Sequence, residues 1–116
     1  MSQICRKLYP EAELGTYELA CECSDSNVVL LGLHGVNGEE KDRWFNSDLV
    51  NRRQSFGVKA GERHQTIVAA TFPEGDSKTE VKVRVLKDGQ VLRECSLTQS
   101  GSTQSSISII TSKVSQ

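Results

Sequence analysis

The sequence predicts an all-β protein, an antiparallel immunoglobulin-like β-sandwich of about seven strands in one domain of 116 residues. Short segments of alternating apolar and polar residues recur along the chain, as half-buried strands do. Clusters of Gly, Asn, Asp, Ser and Pro separate them at the spacing of turns, and no stretch has the length and period of a main helix. We expect residues 1–14 and 111–116 to be frayed ends.

The composition excludes several classes of function. Charged residues make up 25% of the chain, and the net charge is −1. Because Lys and Arg are interspersed with Asp and Glu, the chain lacks the clustered basic face of nucleic-acid binders. No apolar run approaches the ~20 residues that span a bilayer, and no signal-peptide pattern is visible. The compartment stays open between the cytoplasm and, with a signal removed before Met1, the periplasm or the exterior.

Two early segments predict strands that contribute to the core. Residues 28–33 are a continuous apolar run, which favours a buried strand, with Gly32 marking a bulge. Residues 16–23 alternate in polarity, as a half-buried strand does. The buried face of that strand carries Tyr17, Leu19, Cys21 and Cys23.

The next stretch predicts a hairpin and a connection. Residues 34–40 form a turn region because they contain Asn37-Gly38, a strong hairpin signal. Residues 41–46 return as a strand. Residues 47–53 connect onward, with room for one helical turn capped by Ser47.

Three further strands and a second hairpin complete the pattern. Residues 54–59 and residues 63–72 predict strands, followed by a turn at residues 73–78. The clearest hairpin of the chain follows, centred on Asp88-Gly89. Residues 105–110 then predict a last strand.

The register of this hairpin depends on the length of its loop. A two-residue loop places Glu94 beside the core valines. A three-residue loop at residues 87–89, with its glycine as the bulge residue, pairs Val81 with Cys95 and Lys82 with Glu94. We prefer the three-residue loop, which buries Cys95 on the core face.

The second half of the chain resembles a known family. A strand ends in Val-Lys-Ala-Gly at residues 58–61, a Thr- and Ala-rich strand covers residues 66–71, and the hairpin and last strand follow. This half resembles the MmpS family, small membrane-associated proteins that accompany large mycobacterial lipid and siderophore exporters. The resemblance implies a compact sandwich related to immunoglobulin-like domains, although Trp44 lacks the proline that precedes the family's tryptophan. The matching positions are Asp88-Gly89, Val91, Glu94 and Ser100-Gly101.

Four cysteines leave three alternatives open. They are Cys5, Cys21, Cys23 and Cys95. They can be buried free thiols that pack as small hydrophobes, they can form at least one disulfide, or they can contribute to a metal site. Cys21 and Cys23 lie on one face of a strand, so each needs a separate partner for a disulfide.

Trp44 and Phe45 are the first candidate site residues. Neighbouring residues of a strand point to opposite faces, so one ring turns inward and the other leaves the core. The exposed ring is a candidate anchor for a partner or a sugar. The competing interpretation is that it covers a sheet edge.

Basic residues near loop ends form a second candidate site. We consider a small anion-binding patch built from Arg52, Arg53, Arg63 and His64. The competing interpretation is scattered, solvated charge.

No residue pattern predicts an enzyme, a metal or a cofactor. A mixed zinc site requires the strands to bring His34 and His64 together with Cys21 and Cys23, and neither histidine is in a metal-binding motif. We place His34 in a turn and His64 at the start of a strand. No serine lies in a G-x-S-x-G elbow.

The sequence therefore predicts a non-catalytic binding or protein-interaction module, with an accessory role at the cell envelope as one setting. The alternative is a stand-alone sandwich that binds a small apolar or carbohydrate ligand. The expected partner is another protein or a small ligand, with no nucleic acid involved. We expect recognition through loops gathered at one end of the sandwich, at residues 34–40, 47–53 and 73–78.

Overall fold

The computed structural model describes residues 3–9, 14–50, 52–75, 78–99 and 102–110, with side chains for 14–50, 52–75 and 78–99. These residues form nine strands and one short helix. Their bounds are β1 Gln3–Tyr9, β2 Gly15–Glu22, β3 Val29–Val36, β4 Glu39–Phe45, α1 Asn46–Leu49, β5 Gln54–Val58, β6 Arg63–Thr71, β7 Glu80–Lys87, β8 Gln90–Thr98 and β9 Ser102–Ile110.

The strands form two sheets. Sheet A has the order β1-β9-β6-β3-β4, and sheet B has the order β5-β2-β7-β8. The prediction of an all-β protein is confirmed, and the seven strands β2 to β8 pair only in antiparallel fashion with one another. At the edge of sheet A, β1 runs parallel to β9. The expectation of frayed ends falls largely on residues 1–2, 10–13 and 111–116, which lie outside the described residues.

The core lies between the two sheets and follows the predicted alternation. Every second residue of β2 is buried, as are alternate residues of β5, β6 and β7. Burial of these side chains is the main favourable term in folding such a domain. The largest buried apolar side chains include Tyr17, Leu19, Leu30, Leu49, Val68, Val81, Val83 and Leu97.

Gly32 has a packing role in β3 and does not form the predicted bulge. The register shift between β3 and β4 comes later, between His34 and Gly35. A Cβ atom at Gly32 would lie 3.1 Å from Leu49 Cδ1 and 3.6 Å from Trp44 Cε3. The missing side chain therefore makes room for these two large residues.

The helical turn α1 begins at Asn46, so its N-cap is Phe45, and the prediction of Ser47 as the cap is wrong. The Asn46 side chain instead joins α1 to the start of β3. Its Oδ1 accepts a hydrogen bond from the Leu30 amide at 2.8 Å, and its Nδ2 donates to the Val28 carbonyl at 2.8 Å.

The β7–β8 hairpin turns through two residues, so the preferred three-residue loop is wrong. Asp88 and Gly89 have φ values of 54° and 79°, and Lys87 pairs with Gln90 around them. Positive φ at both central residues is the type I′ geometry that suits the twist of the flanking strands.

A bulge lies farther into this hairpin and moves the cross-strand pairs. Val85 pairs with Arg93 and Leu86 with Val91, so the extra residue is Leu92 of β8. Cys95 lies opposite Val83, and Glu94 lies opposite Arg84. The partners predicted for them were therefore wrong. The burial of Cys95 is confirmed at 3% exposure, because the bulge adds the residue that returns it to the core face.

The three predicted recognition loops do not share one end of the sandwich. The β3–β4 turn lies beyond Val36, next to the start of β6, because Val36 pairs with His64. The described residues of the other two loops, 47–50, 52–53, 73–75 and 78, lie at the opposite end, where Val29 pairs with the last residue of β6. An antiparallel hairpin places its tip and its open end at opposite ends of the sheet, which the sequence pattern alone did not resolve.

We expect Gly32→Ala to lower the free energy of unfolding by about 1–3 kcal/mol, because the added methyl overpacks the contact with Leu49 and Trp44. Gly57→Ala is the matched control, since a Cβ there meets nothing within 4 Å. Its effect should stay within about 0.5 kcal/mol. Urea unfolding of both variants measures the difference, and equal losses would contradict the packing role of Gly32.

Candidate functional site

Two histidines meet inside the sandwich. Because β3 extends to Val36, His34 lies within a strand and faces the interior, which corrects its predicted position in a turn. His64 lies at the start of β6, as predicted, and its side chain faces inward. The two side chains are 4% and 2% exposed, and His34 Nε2 lies 2.9 Å from His64 Nδ1.

A carboxylate completes each end of this histidine pair. Asp42 Oδ2 lies 3.1 Å from His34 Nδ1, and Glu62 Oε1 lies 3.0 Å from His64 Nε2. The side chains of Asp42 and Glu62 are 48% and 31% exposed. The four residues Asp42, His34, His64 and Glu62, here called the histidine chain, therefore form a hydrogen-bonded row that passes from solvent through the interior and back to solvent.

Local structure positions both carboxylates. Asp42 is the cross-strand partner of His34 in the β3–β4 hairpin. Glu62 is held in the turn before β6, where its carboxylate accepts a hydrogen bond from the Lys59 amide at 3.0 Å. Each carboxylate is thus fixed by the backbone beside the imidazole that it contacts.

Aromatic rings enclose the two imidazoles. His34 stacks on Trp44 with centroids 5.9 Å apart, and it contacts Phe56 of sheet B at 4.3 Å. Phe56 also stacks on His64 at 5.7 Å. Of the adjacent aromatic pair, Trp44 is therefore the buried member, and Phe45 is 53% exposed on the outer face of sheet A.

Burial and neighbouring charges change the acidity of the chain. Burial lowers the pKa of His34, and the positive charge of His64 lowers it further, while the hydrogen bond to Asp42 partly offsets both. The hydrogen bond from His64 lowers the pKa of Glu62, with help from the Lys59 amide. Glu62 is therefore held as a carboxylate.

A groove lies on the other face of the same strands. Its volume is about 420 Å³, and its floor is formed by outward-facing residues of β3 and β6, with Leu33 and Ile67 as the apolar members. Glu39, Glu40 and Arg63 border it. His34 and His64 also belong to the lining, so the groove lies directly against the buried histidine pair.

The groove is part of a larger apolar surface on sheet A, here called the outer apolar strip. Leu31 pairs with Phe45 on one side and with Ala69 on the other, and Leu33 pairs with Ile67. Val29 and Phe45 are 59% and 53% exposed. The strip consists of Val29, Leu31, Leu33, Phe45, Ile67 and Ala69.

The outer face of sheet B has a different composition. Most of its outward residues are charged or polar, although Val91 of β8 is 51% exposed, and several form ion pairs, such as that of Arg84 with Glu22 and Glu94. A solvated outer face of this kind is usual in antiparallel sandwiches. The outer apolar strip of sheet A is therefore the exceptional face of this molecule.

The predicted basic patch is not assembled. Arg52 and Arg53 border a pocket together with Arg84, and Arg53 contacts Glu18 at 3.4 Å. Arg63 lies beyond the other end of β5, whose five residues span ~16 Å, and it borders the groove. His64 is buried beside it, whereas Arg52, Arg53 and Arg63 are exposed at two separate places on the surface.

The described residues contain no group of three or more His, Cys, Asp and Glu side chains that can hold a metal ion. In the same part of the chain, no helix has the length and apolar character needed to cross a membrane. The histidines therefore interact with each other and with carboxylates, and no described cysteine completes a metal site with them.

No protein-family model, curated protein or solved structure matches the chain. The function of the chain is therefore inferred from the geometry of its surfaces and buried groups. Sequence reasoning missed the histidine pair because it ended the strand at residue 33. The signal was present, since the inward alternation of Leu30 and Gly32 continues to His34.

The cysteines differ in state. Cys95 is part of a disulfide, while Cys21 and Cys23 are free thiols. Burial, and then the nearby Cys23, raises the pKa of Cys21 to about 12. Cys23 is only partly buried, and its thiol donates to the Asp25 carbonyl at 3.4 Å. The side chain of Cys5 lies outside those described.

We expect iodoacetamide at a pH of about 8 to modify Cys23 in the folded protein and to leave Cys21 largely unmodified, because the raised pKa and burial deny Cys21 its thiolate. Cys95 should react only after reduction. Peptide mapping by mass spectrometry measures all three sites, and unfolding in urea without reductant is the control that should expose Cys21. Rapid labelling of native Cys21 would contradict this account.

Proposed function

We propose that this chain is a non-catalytic binding module that docks a partner protein on the outer apolar strip. The observation that carries the proposal is the apolar groove of about 420 Å³ beside Leu33 and Ile67, set in a sheet face that is otherwise expected to be polar. The partner is expected to place an apolar side chain in the groove, as anchor residues do at protein interfaces.

The extent of the strip favours a protein over a small molecule. It crosses three strands, which is ~10 Å, and it follows β3 from Val29 to Leu33 for another ~13 Å. Phe45 and Val29, the most exposed members, lie outside the groove lining. A ligand confined to the groove leaves them in water, whereas a protein segment covers them.

The charges around the groove indicate the chemistry of that segment. Glu39 contacts Lys41 at 3.4 Å, and Glu40 contacts Arg43 at 3.1 Å, so both carboxylates are neutralised within the hairpin. Within the described residues, the Arg63 guanidinium has no such ion pair. The expected partner segment is therefore apolar and carries an acidic residue that reaches Arg63.

The burial of the histidine chain supports a non-catalytic role. His34 and His64 are the groups best suited to acid–base chemistry, and they are 4% and 2% exposed. Both residues belong to the groove lining, but all four of their ring nitrogens already contact other side chains. A general base needs a ring nitrogen within hydrogen-bond reach of its substrate, and the burial of these rings does not offer one.

We also infer that the sandwich is immunoglobulin-like in outline and that it acts as an accessory module at the cell envelope. The resemblance to the MmpS family supports this setting, and Asp88-Gly89 forms the tight turn on which that resemblance partly depends. The disulfide of Cys95 adds support, because disulfides persist mainly in oxidising compartments. Chain crossings between the sheets, as from β6 to β7 and from β8 to β9, agree with this outline.

A second candidate function is the binding of a small apolar or carbohydrate ligand in the groove. The groove volume, about 420 Å³, falls within the range of small-molecule sites. In that case Phe45 and Val29 contribute nothing to binding.

We test the docking surface with a photo-crosslinking residue placed at position 67, and with the matched control at Ser55 on the outer face of sheet B. In cells of the source organism, we expect a discrete protein adduct from position 67 and none from position 55. Sequencing the cross-linked peptide should identify an apolar segment with an acidic residue, because those groups complement the strip and Arg63.

A synthetic peptide of that segment then measures affinity directly. We expect Leu33→Arg to weaken its binding by about 2 kcal/mol or more, because the charge is buried at the centre of the contact. Arg63→Glu should also weaken it, while a substitution at Ser55 should have no effect. Equal cross-linking from both faces, or a peptide that binds Leu33→Arg as tightly as the native protein, would refute the proposed surface. Binding that is sensitive to Leu33→Arg but involves only a small molecule would favour the second candidate.

A further inference from the structure

The histidine chain contains three hydrogen bonds in a row, and each needs one proton. The carboxylates of Asp42 and Glu62 supply none, and two neutral imidazoles carry one N–H each. With both histidines neutral, one of the three contacts would bring two lone pairs together at about 3 Å in a buried site. The geometry therefore requires one proton beyond those of two neutral histidines.

The two ends fix the direction of the outer hydrogen bonds. His34 Nδ1–H donates to Asp42, and His64 Nε2–H donates to Glu62. The extra proton therefore lies in the central contact between His34 Nε2 and His64 Nδ1, where one nitrogen donates and the other accepts.

A second extra proton has only one ring nitrogen to occupy, the one that accepts the central hydrogen bond. There it would face the N–H of the other ring across 2.9 Å, so that two donors and two positive rings would oppose each other. The lowered pKa of His34 reflects the resistance to this step. The row therefore accommodates one extra proton and is broken by two.

We propose that the histidine chain is a proton-operated latch: one extra proton closes it, and a second one opens it, which loosens the β3–β4 hairpin against the start of β6 on acidification. Asp42 belongs to β4 and Glu62 to the turn before β6, so the row ties these two parts of sheet A together through the interior. Opening it removes these side-chain contacts, while the backbone ladder of β3 and β6, the hydrogen bonds between Asn37 and Arg63, and the β7–β8 hairpin remain.

Among the described residues, β4 and the β5–β6 turn contribute the charged groups that act on the imidazoles. β4 contributes Asp42, and the β5–β6 turn contributes Glu62 together with Lys59, which acts on Glu62. The remaining ring contacts, Trp44 of β4 and Phe56 of β5, carry no charge. The pH response of the latch is therefore assigned to these groups.

The direction of the pH dependence follows from the lowered pKa of His34. The unfolded chain binds this proton near the ordinary value of ~6.5, and the folded chain binds it only at lower pH. The stability contributed by neutral His34 is therefore fully present above its ordinary pKa. It is lost as the pH falls from there through the lowered pKa of the folded chain. The pKa of Glu62 is also lowered, so its protonation causes a further loss of stability at more acidic pH.

The latch does not depend on the proposed function, but its effect on binding does. Glu39 and Glu40 border the groove from the hairpin, and Arg63 borders it from the start of β6. Opening the latch removes the side-chain link between these two sides, which the backbone ladder of β3 and β6 still joins. If the outer apolar strip is the docking surface, acidification should release the partner.

Backbone hydrogen exchange tests the latch in the free protein, without any partner. On going from about pH 7.5 to about pH 5, we expect amides of β4 and of the first residues of β6 to lose at least about tenfold in protection factor. The β7–β8 hairpin is the internal control and should keep its protection. Equal changes in the two hairpins, or no change in either, would overturn the proposal.

Three variants separate the latch from general instability. Asp42→Asn keeps an acceptor for His34 but removes the charge that favours its protonation, so the opening should shift to lower pH. Phe56→Leu loosens the ring stack without removing a titrating group, and should lower protection at all pH values while keeping the midpoint. His34→Gln should abolish the pH response. An unchanged midpoint in Asp42→Asn would overturn the assignment even if His34→Gln failed to fold.

Discussion

The buried hydrogen bond between His34 and His64 is the constraint on which the rest of this structure depends. A polar pair in the core must be fully satisfied, and here that requires a carboxylate at each end of the row. The requirement fixes Asp42 opposite His34 and draws Glu62 toward His64. The hairpin β3–β4, the turn before β6 and the aromatic rings of both sheets are therefore arranged around two imidazoles.

The inner and outer faces of sheet A are linked by the strands that they share. His34 and Leu33 are neighbours in β3, and His64 and Arg63 are neighbours in β6, so the latch and the groove are built from adjacent residues that point to opposite sides. A change in the contacts of His34 or His64 therefore acts on the binding surface through the same two strands. This proximity gives the proposed docking surface a physical route to pH control.

The sequence predicts the architecture correctly where a single local pattern determines the structure. The alternation of β2 predicts its buried face, and Asn37-Gly38 predicts the β3–β4 turn, whose residues have φ values of 53° and 85°. Prediction from sequence fails where contacts between distant segments determine the structure. The bulge near residue 85 depends on packing against β2, and the end of the sandwich reached by each loop depends on strand order. His34 was missed because its inward position has meaning only beside His64, 30 residues away.

The most direct measurement counts the protons on the imidazole nitrogens by nitrogen-15 nuclear magnetic resonance of the native protein at neutral pH. The two histidines have four ring nitrogens, and we expect three to be protonated and one, in the contact between the two rings, to accept the central hydrogen bond through its lone pair. All three N–H protons should exchange slowly with water because the hydrogen bonds hold them in place. Two protonated and two unprotonated nitrogens, as in a pair of neutral histidines, would contradict the proton count and with it the latch.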